Sequence, residues 1–444
     1  MAERTEGRDQ PKRSILVRML QKLSSVIEYF RMKKHARRVS RKLALHADPI
    51  TLRPEAVYAL FTAAEDGKGK DHLRQSVPLN PEALTQHDRA IIHRILHATE
   101  TANRNNVTRT EAYRAFYFRY PELHWALLAH LVSRNGGWNM TDLKGSLLPM
   151  LLGEDNRLHT FTLLERANAA IFGDAYPQLL LYEASRKEET DLSHLLPYFG
   201  VSRFMGPVWQ QFWRSEDSVL LTTALIVNEQ HVIEAPLVQS DYFKALVLKK
   251  PVFLLQAPFQ TNAVFMPYGS PHYAGGEMKL AGLVLENFSQ LEERIEFGKR
   301  LYAILFGLPE VHAGVLAFVR AIPHTGSRAD YAPHLFAKEG VPVNEEEVSS
   351  PFEERLKGCK LRPGAEKLYS PELSAAWPDV PITQLDGDDW FDMAGSAAIR
   401  LYFEEMPLPK LFEITFEHCM ALNKLELAVQ AKQGIEAAGK LKRR

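Results

Sequence analysis

Two short blocks hold side chains whose types and spacing could handle an anion. The first, HWALLAHLVSRNGGWNMTDLKG at residues 124 to 145, carries Arg134, Asn139 and Asp142. The second, HTGSRADY at residues 324 to 331, carries His324, Ser327, Arg328 and Asp330. In the second, Gly326 and Ser327 permit a tight loop whose N–H groups would cradle an oxyanion, with Arg328 clamping it and His324 or Asp330 moving a proton. In the first, a guanidinium beside a helix N-terminus makes a ready anion site. Each block also has a plainer reading. Ser327 and Asp330 would cap a short helical turn that Pro333 stops, and the first block would be only a corner between two helices. Arg134 and Arg328 are 194 positions apart, so a shared site requires the fold to bring them together. The second block lacks the Gly-Lys-Ser/Thr ending of a phosphate loop.

Other chemistries are weaker. His93, His97 and Glu100 share one helical face and would suit a metal, but Ile91, Ile92, Ile95 and Leu96 define the apolar side, which leaves the three on a solvated face. The run DGDDWFD, residues 386 to 392, lacks the spacing of a calcium loop. No Gly-x-Ser-x-Gly elbow occurs, and the sequence points to no cofactor. Cys359 and Cys419 lack partners at metal-ligand spacing, so reduced thiols in a reducing compartment are expected and a disulfide framework is not.

The elements that must position these residues read as helices. Proline followed by glutamate marks helix starts at Pro54, Pro81, Pro121, Pro309 and Pro371, since proline suits the first helical position and the next carboxylate faces the positive end of the dipole. Thr108 and Glu111 read as a capping box. In the first block the spacing predicts a helix over 121 to 135 that ends at Asn135 and Gly136. A second helix then starts from an Asn139 cap, with Asp142 at its third position and Trp138 stapled on Leu143. Further helices are expected over 158 to 172, 176 to 185, 204 to 230, 287 to 306, 310 to 321 and 409 to 434. PVFLLQ, AVFMPYG and KLAGLVLE read as two or three short strands. The fold expected is mainly α: a large multi-helix body with a small β-hairpin or three-stranded insertion and a loop-rich acidic segment.

The chain has 444 residues, 45% of them hydrophobic, and no net charge. That balance hides an asymmetry. Residues 1 to 45 carry 13 Lys and Arg against 4 acids, whereas residues 322 to 405 carry 8 against 16. Within the basic arm Leu16, Met19, Leu20, Leu23, Ile27 and Phe30 recur at helical spacing. Such an amphipathic helix would lie on an anionic membrane surface or dock on a protein face. Nucleic acid is not favoured, because Tyr29 and Phe30 belong to the apolar side rather than to a base-stacking groove. The expected division is a basic arm over 1–45, a helical body over 46–320 with its β insertion near 251–286, an acidic loop-rich segment over 321–406, and a C-terminal helix with a basic tail over 407–444. Residues 251 to 276 are uncharged but broken by Pro251, Pro258, Pro267 and Pro271, so no membrane span is expected, and neither is a secretion signal.

The stretches RAFYFRYPELHWALLAHLVSRNGGWNMTDLKG, LVLENFSQLEERIEFGKRLYAILF and HTGSRADY together resemble an uncharacterised bacterial family, domain of unknown function 2515, found chiefly in endospore-forming Gram-positive organisms. The likeness runs from about residue 80 to residue 420. It implies a bacterial cytoplasmic setting and assigns no catalytic residue. The expectation is therefore a cytoplasmic helical protein with a binding or scaffolding role, peripheral at the inner membrane surface through its basic arm. The alternative is an enzyme or binding domain for a small anionic, phosphate-bearing molecule.

Overall fold

Caps decide where most helices begin. In the computed structural model, residues 30–71, 84–248, 262–269, 278–340, 353–382 and 388–442 are described. Residues 30 to 44 form α1, which docks through Ala36, Ser40 and Leu43 and leaves Arg31, Lys34, Arg37, Arg38, Arg41 and Lys42 exposed. The apolar stripe expected from Leu16 to Ile27 lies outside the described residues. Pro54 opens α2 (Pro54–Asp71). A capping box of Thr85 and Asp88 opens α3 (Gln86–Ala102), and Asn105 with Thr108 opens α4 (Asn106–Arg119). The Thr108–Glu111 start therefore falls inside α4, where Glu111 instead holds Arg114.

The expected corner in the first block does not exist. A single helix, α5, runs from His124 to Asp142 straight through Gly136 and Gly137, after a turn that contains Pro121 and Glu122. Glycine serves close approach here rather than chain reversal, because a Cβ on Gly137 would collide with Asn106 Oδ1 and His324 Nε2. Asn139 and Asp142 thus lie in the last turn of a helix, not at the start of one. Trp138 packs on Tyr331, with ring centroids 4.6 Å apart.

After α6 (Leu148–Leu151), the two helices expected over 158 to 185 prove to be one. α7 (Glu154–Glu188) continues through Pro177. The single helix expected over 204 to 230 divides into α8 (Met205–Ser215) and α9 (Ser218–Ile233), because Asp217 caps the second by accepting from the Val219 and Leu220 amides. Every residue of α9 from Leu220 to Asn228 is buried, so this helix sits at the centre with α5 and α7 around it. α10 (Asp241–Phe243) runs on into a π-turn at Lys244–Leu248.

The fold is mainly α with small sheets. β1 (Ala263–Tyr268) and β2 (Lys279–Val284) pair antiparallel, from Ala263 opposite Val284 to Tyr268 opposite Lys279. Ala281 also bridges Glu413, which adds a third chain segment to the hairpin's edge. PVFLLQ lies outside the described residues. α11 (Leu291–Gly307) and α12 (Pro309–Ala321) follow at an angle of 91°. Among the described residues no single helix is long and apolar enough to cross a membrane.

From Ile322 onward the chain wraps the helices with short elements. β3 (Phe336–Ala337) pairs in parallel with β6 (Leu368–Tyr369), and β4 (Leu356–Lys357) with β5 (Lys360–Leu361). Trp377 stacks on Phe161 at 4.1 Å, and Trp390 donates its Nε1–H to Asn228 on α9. The C-terminal helix (Thr415–Lys442) closes the structure. Contrary to expectation, Cys359 and Cys419 form a disulfide, with Cα atoms 5.0 Å apart. The β4–β5 hairpin is clamped on the C-terminal helix: the Glu426 carboxylate accepts from the Arg355 and Leu356 amides, and Asn423 donates to the Gly358 carbonyl. These contacts bring together two cysteines 60 positions apart, which spacing alone could not reveal.

Candidate ligand-binding site

The two sequence blocks do meet. The last turn of α5 presents Asn139 and Asp142 to Arg328, which the short 3-10 turn Arg328–Asp330 holds in place. Arg328 Nε donates to both Asp142 oxygens at 2.8 Å, and its Nη2 reaches Asp142 Oδ2 at 2.6 Å and Asn139 Oδ1 at 3.2 Å. Its Nη1 donates to the Tyr331 hydroxyl at 2.7 Å, and that hydroxyl lies 3.0 Å from His418 Nε2. Burial would pull this guanidinium down, but the Asp142 carboxylate and Tyr331 hold it above its ordinary value. Burial likewise raises Tyr331 to about 12 and holds His418 well below its usual range, so the hydroxyl keeps its proton and the imidazole stays neutral. The bidentate geometry is that of a strong charge-assisted pair.

A second group lies beside the first. Arg134 is fully buried, donates to the Pro323 carbonyl at 2.8 Å, approaches Asp330 at 3.7 Å and lies over the Phe318 ring at 4.4 Å. Burial lowers it to about 10, partly offset by Asp330. His324 sits 2.9 Å from Asn106 Oδ1, and burial next to Arg134 keeps it neutral. Asp330 accepts from the Thr325 amide and hydroxyl. The Ser327 hydroxyl donates to the Ser370 carbonyl, while the Ser327, Arg328, Ala329 and Asp330 amides bond within the chain. The loop's donors are spent on itself and on Ser370, while Gly326 takes φ +83° and Leu373 packs where its Cβ would be.

On the other side of Asn139 and Asp142 opens a cavity of about 390 Å³ between α5, α7, α9, β1 and α11, with the C-terminal helix at its edge. Its walls are mostly aliphatic, with Leu163, Ile171, Ile233 and Val264 among them. Its size and apolar lining are those of a small-molecule site. Polar side chains interrupt the aliphatic wall, and three of them, Glu229, Gln230 and Arg294, form a connected group that faces the space. Arg294 donates from Nε to Gln230 Oε1 at 2.9 Å, and Gln230 Nε2 donates to Glu229 Oε1 at 3.1 Å. Trp125 Nε1 donates to the other Glu229 oxygen at 3.1 Å, and Arg294 is ion-paired with Glu234. Burial, with a smaller push from the neighbouring Asp174, raises Glu229 to about 7 against the hydrogen bonds from Gln230 and Trp125. Asp174 on α7 is itself pushed up to about 7 by burial, although it accepts from Asn228 and Gln178.

The family model described as Protein of unknown function (DUF2515) matches residues 101–402, a span that holds all of these side chains except His418. The chain belongs to this family. It is also 39% identical over 329 residues to the Uncharacterized protein YppC of Bacillus subtilis (strain 168), which covers 74% of this chain and 90% of the relative. No solved structure matches. Within this DUF2515 chain, His93, His97 and Glu100 lie on the exposed face of α3, and among the described residues no group of three or more His, Cys, Asp or Glu side chains could hold a metal ion. The reading from sequence passed over Glu229, Gln230, Arg294 and Asp174. A signal was present: in SVLLTTALIVNEQHVI a carboxylate follows eleven residues without a charge, Ser218 to Asn228, and such a helix has no solvated face on which to place it.

Proposed function

We propose that this chain binds a small, mainly apolar molecule in the cavity between α5, α7, α9 and α11. The observation that supports this is the mainly aliphatic space of about 390 Å³, into which a small number of hydrogen-bonding side chains, Glu229 and Gln230 among them, also face. An anionic ligand is disfavoured there. Arg294, the one cation among the described lining residues, is already paired with Glu234, and Asp142 and Glu229 are acidic.

Nile red, an uncharged apolar dye, tests the reading. Wild-type protein should bind it saturably with a fluorescence rise, and Ala167→Trp, which fills the space from α7, should weaken binding at least about tenfold while the chain remains folded. Unsaturable binding, or equal binding by a folded Ala167→Trp protein, would overturn it.

A second reading concerns α1, whose exposed side gathers Arg31, Lys34, Arg37, Arg38, Arg41 and Lys42 while its other side is docked. Such a face suits attachment to an anionic membrane surface. Flotation with neutral and anionic vesicles separates the possibilities. Equal recovery on both would remove this reading.

A further inference from the structure

Charges around the cavity are compensated unevenly. Asp142 is held by Arg328, and Arg294 by Glu234. Glu229 has no Lys, Arg or His partner among the described residues, yet both its oxygens already accept hydrogen bonds, from Trp125 and Gln230. A carboxyl wired as an acceptor on both oxygens is built for its ionised form, and here it lacks only a counter-charge. It is sheltered from bulk solvent, and the surface it keeps opens into the cavity.

Resting on the cavity reading above, we infer that the ligand is an apolar molecule with a cationic ammonium head, and that Glu229 is the counter-ion of that head. The groups that face Glu229 leave this place open. From α5 comes the neutral Trp125 indole; from α7 comes Asp174, a second carboxyl with no cation beside it among the described residues; from α4 comes Tyr113, whose phenol burial keeps protonated, with Arg109 beyond it paired to Glu165. From α11 comes Arg294, which reaches Glu229 only through the Gln230 amide and is neutralised by Glu234. Two carboxyls that no cation among the described residues compensates therefore stand beside a mainly aliphatic space, and a ligand cation entering there would meet an attraction strengthened by the low dielectric.

The sign of the pH dependence follows. An alkylammonium keeps its charge across neutral pH, as a lysine does. Glu229 releases its proton near pH 7, so the amine should bind more tightly as pH rises through that value.

The test is displacement of Nile red by dodecylamine, dodecanol and dodecanoate, roughly one pH unit below and above the Glu229 midpoint. Above it, dodecylamine should displace the dye at least about tenfold more effectively than dodecanol, with dodecanoate weakest, and the preference should shrink below it. Glu229→Gln should equalise amine and alcohol. Dodecanol matching dodecylamine in the wild type, a comparison that needs no variant, overturns the inference. So does a preference that survives in a folded Glu229→Gln protein. Either result leaves the cavity reading standing if the dye still binds saturably, whereas loss of dye binding itself removes the cavity reading.

Discussion

The C-terminal ends of α5 and α9 treat charge in opposite ways. On α5, Asp142 meets Arg328 in a bidentate pair, and Arg134 leans on Asp330 and a backbone carbonyl. Among the described residues Glu229 on α9 meets only neutral donors, and Asp174 across from it does the same. A buried charge with a partner from its own chain joins two segments; a buried carboxyl without one stores an attraction for something else. The first pattern ties the wrapping segment to the helical body. The second marks the place where chemistry from outside the chain would be felt.

The largest effect expected is on the tied end. Arg328→Ala strands the Asp142 carboxylate and releases Asn139 and Tyr331, so stability should fall by about 3 kcal/mol, the lower end for a broken buried pair because Asp142 keeps 19% of its side-chain exposure. Denaturant unfolding of the unliganded protein measures this. An unchanged midpoint would break the comparison and return Arg134, Asn139, Asp142 and Arg328 to consideration as an anion site.

Gly137→Ala comes next. The added methyl meets Asn106 and His324, two side chains locked by their own hydrogen bonds, and overpacking of this kind costs about 1–3 kcal/mol. Gly136→Ala, on the cavity side, meets only the Asn168 amide at 3.1 Å and should cost less. Equal losses would mean that the tied side is no more tightly packed than the cavity side.

These two glycines also show where the sequence was legible and where it was not. Helical content was readable because apolar spacing and caps are local, and Pro54 and Pro309 begin helices as expected. Gly136 and Gly137 were misread because glycine ends helices and also admits close neighbours, and only the neighbours, Asn106 and His324, tell the two apart. The residue types of the paired end were readable, but not its partners, since Asp142 and Arg328 are 186 positions apart. Glu229 was the reverse: its neighbours were in plain view as an apolar run, yet its polar companions Asn228, Gln230 and His231 made it look like an ordinary helix end.

Glu229→Gln sharpens the comparison from the other side. Burial raises Glu229 to about 7 in the folded chain from about 4.5, so the folded state holds its proton more firmly than the unfolded state. The stability this brings is fully present below pH 4.5 and is lost as pH rises to about 7. The Gln variant lacks that loss, and above pH 7 it should exceed the wild type by up to about 3 kcal/mol relative to their difference in acid. Unfolding curves across this range check it. A wild-type profile no steeper than that of the variant would show that Glu229 has a cation after all.

The smallest effect on the folded state is expected where charge meets water. Replacing Arg37, Arg38, Arg41 and Lys42 with glutamine alters only exposed side chains of α1 and spares Ala36, Ser40 and Leu43, which dock it. The unfolding midpoint should scarcely move, because exposed charges add little to stability even where, as with Arg37 and the Glu417 carboxyl, one acts on a group of opposite sign. Flotation on anionic vesicles should nevertheless fall, since several cations on one face act together on a charged surface, and added salt should mimic the substitution. A chain that floats as well after the substitution, or a midpoint that drops sharply, would place these cations with Arg328 as ties within the chain. They would then no longer belong with Glu229 as charge held ready for another molecule.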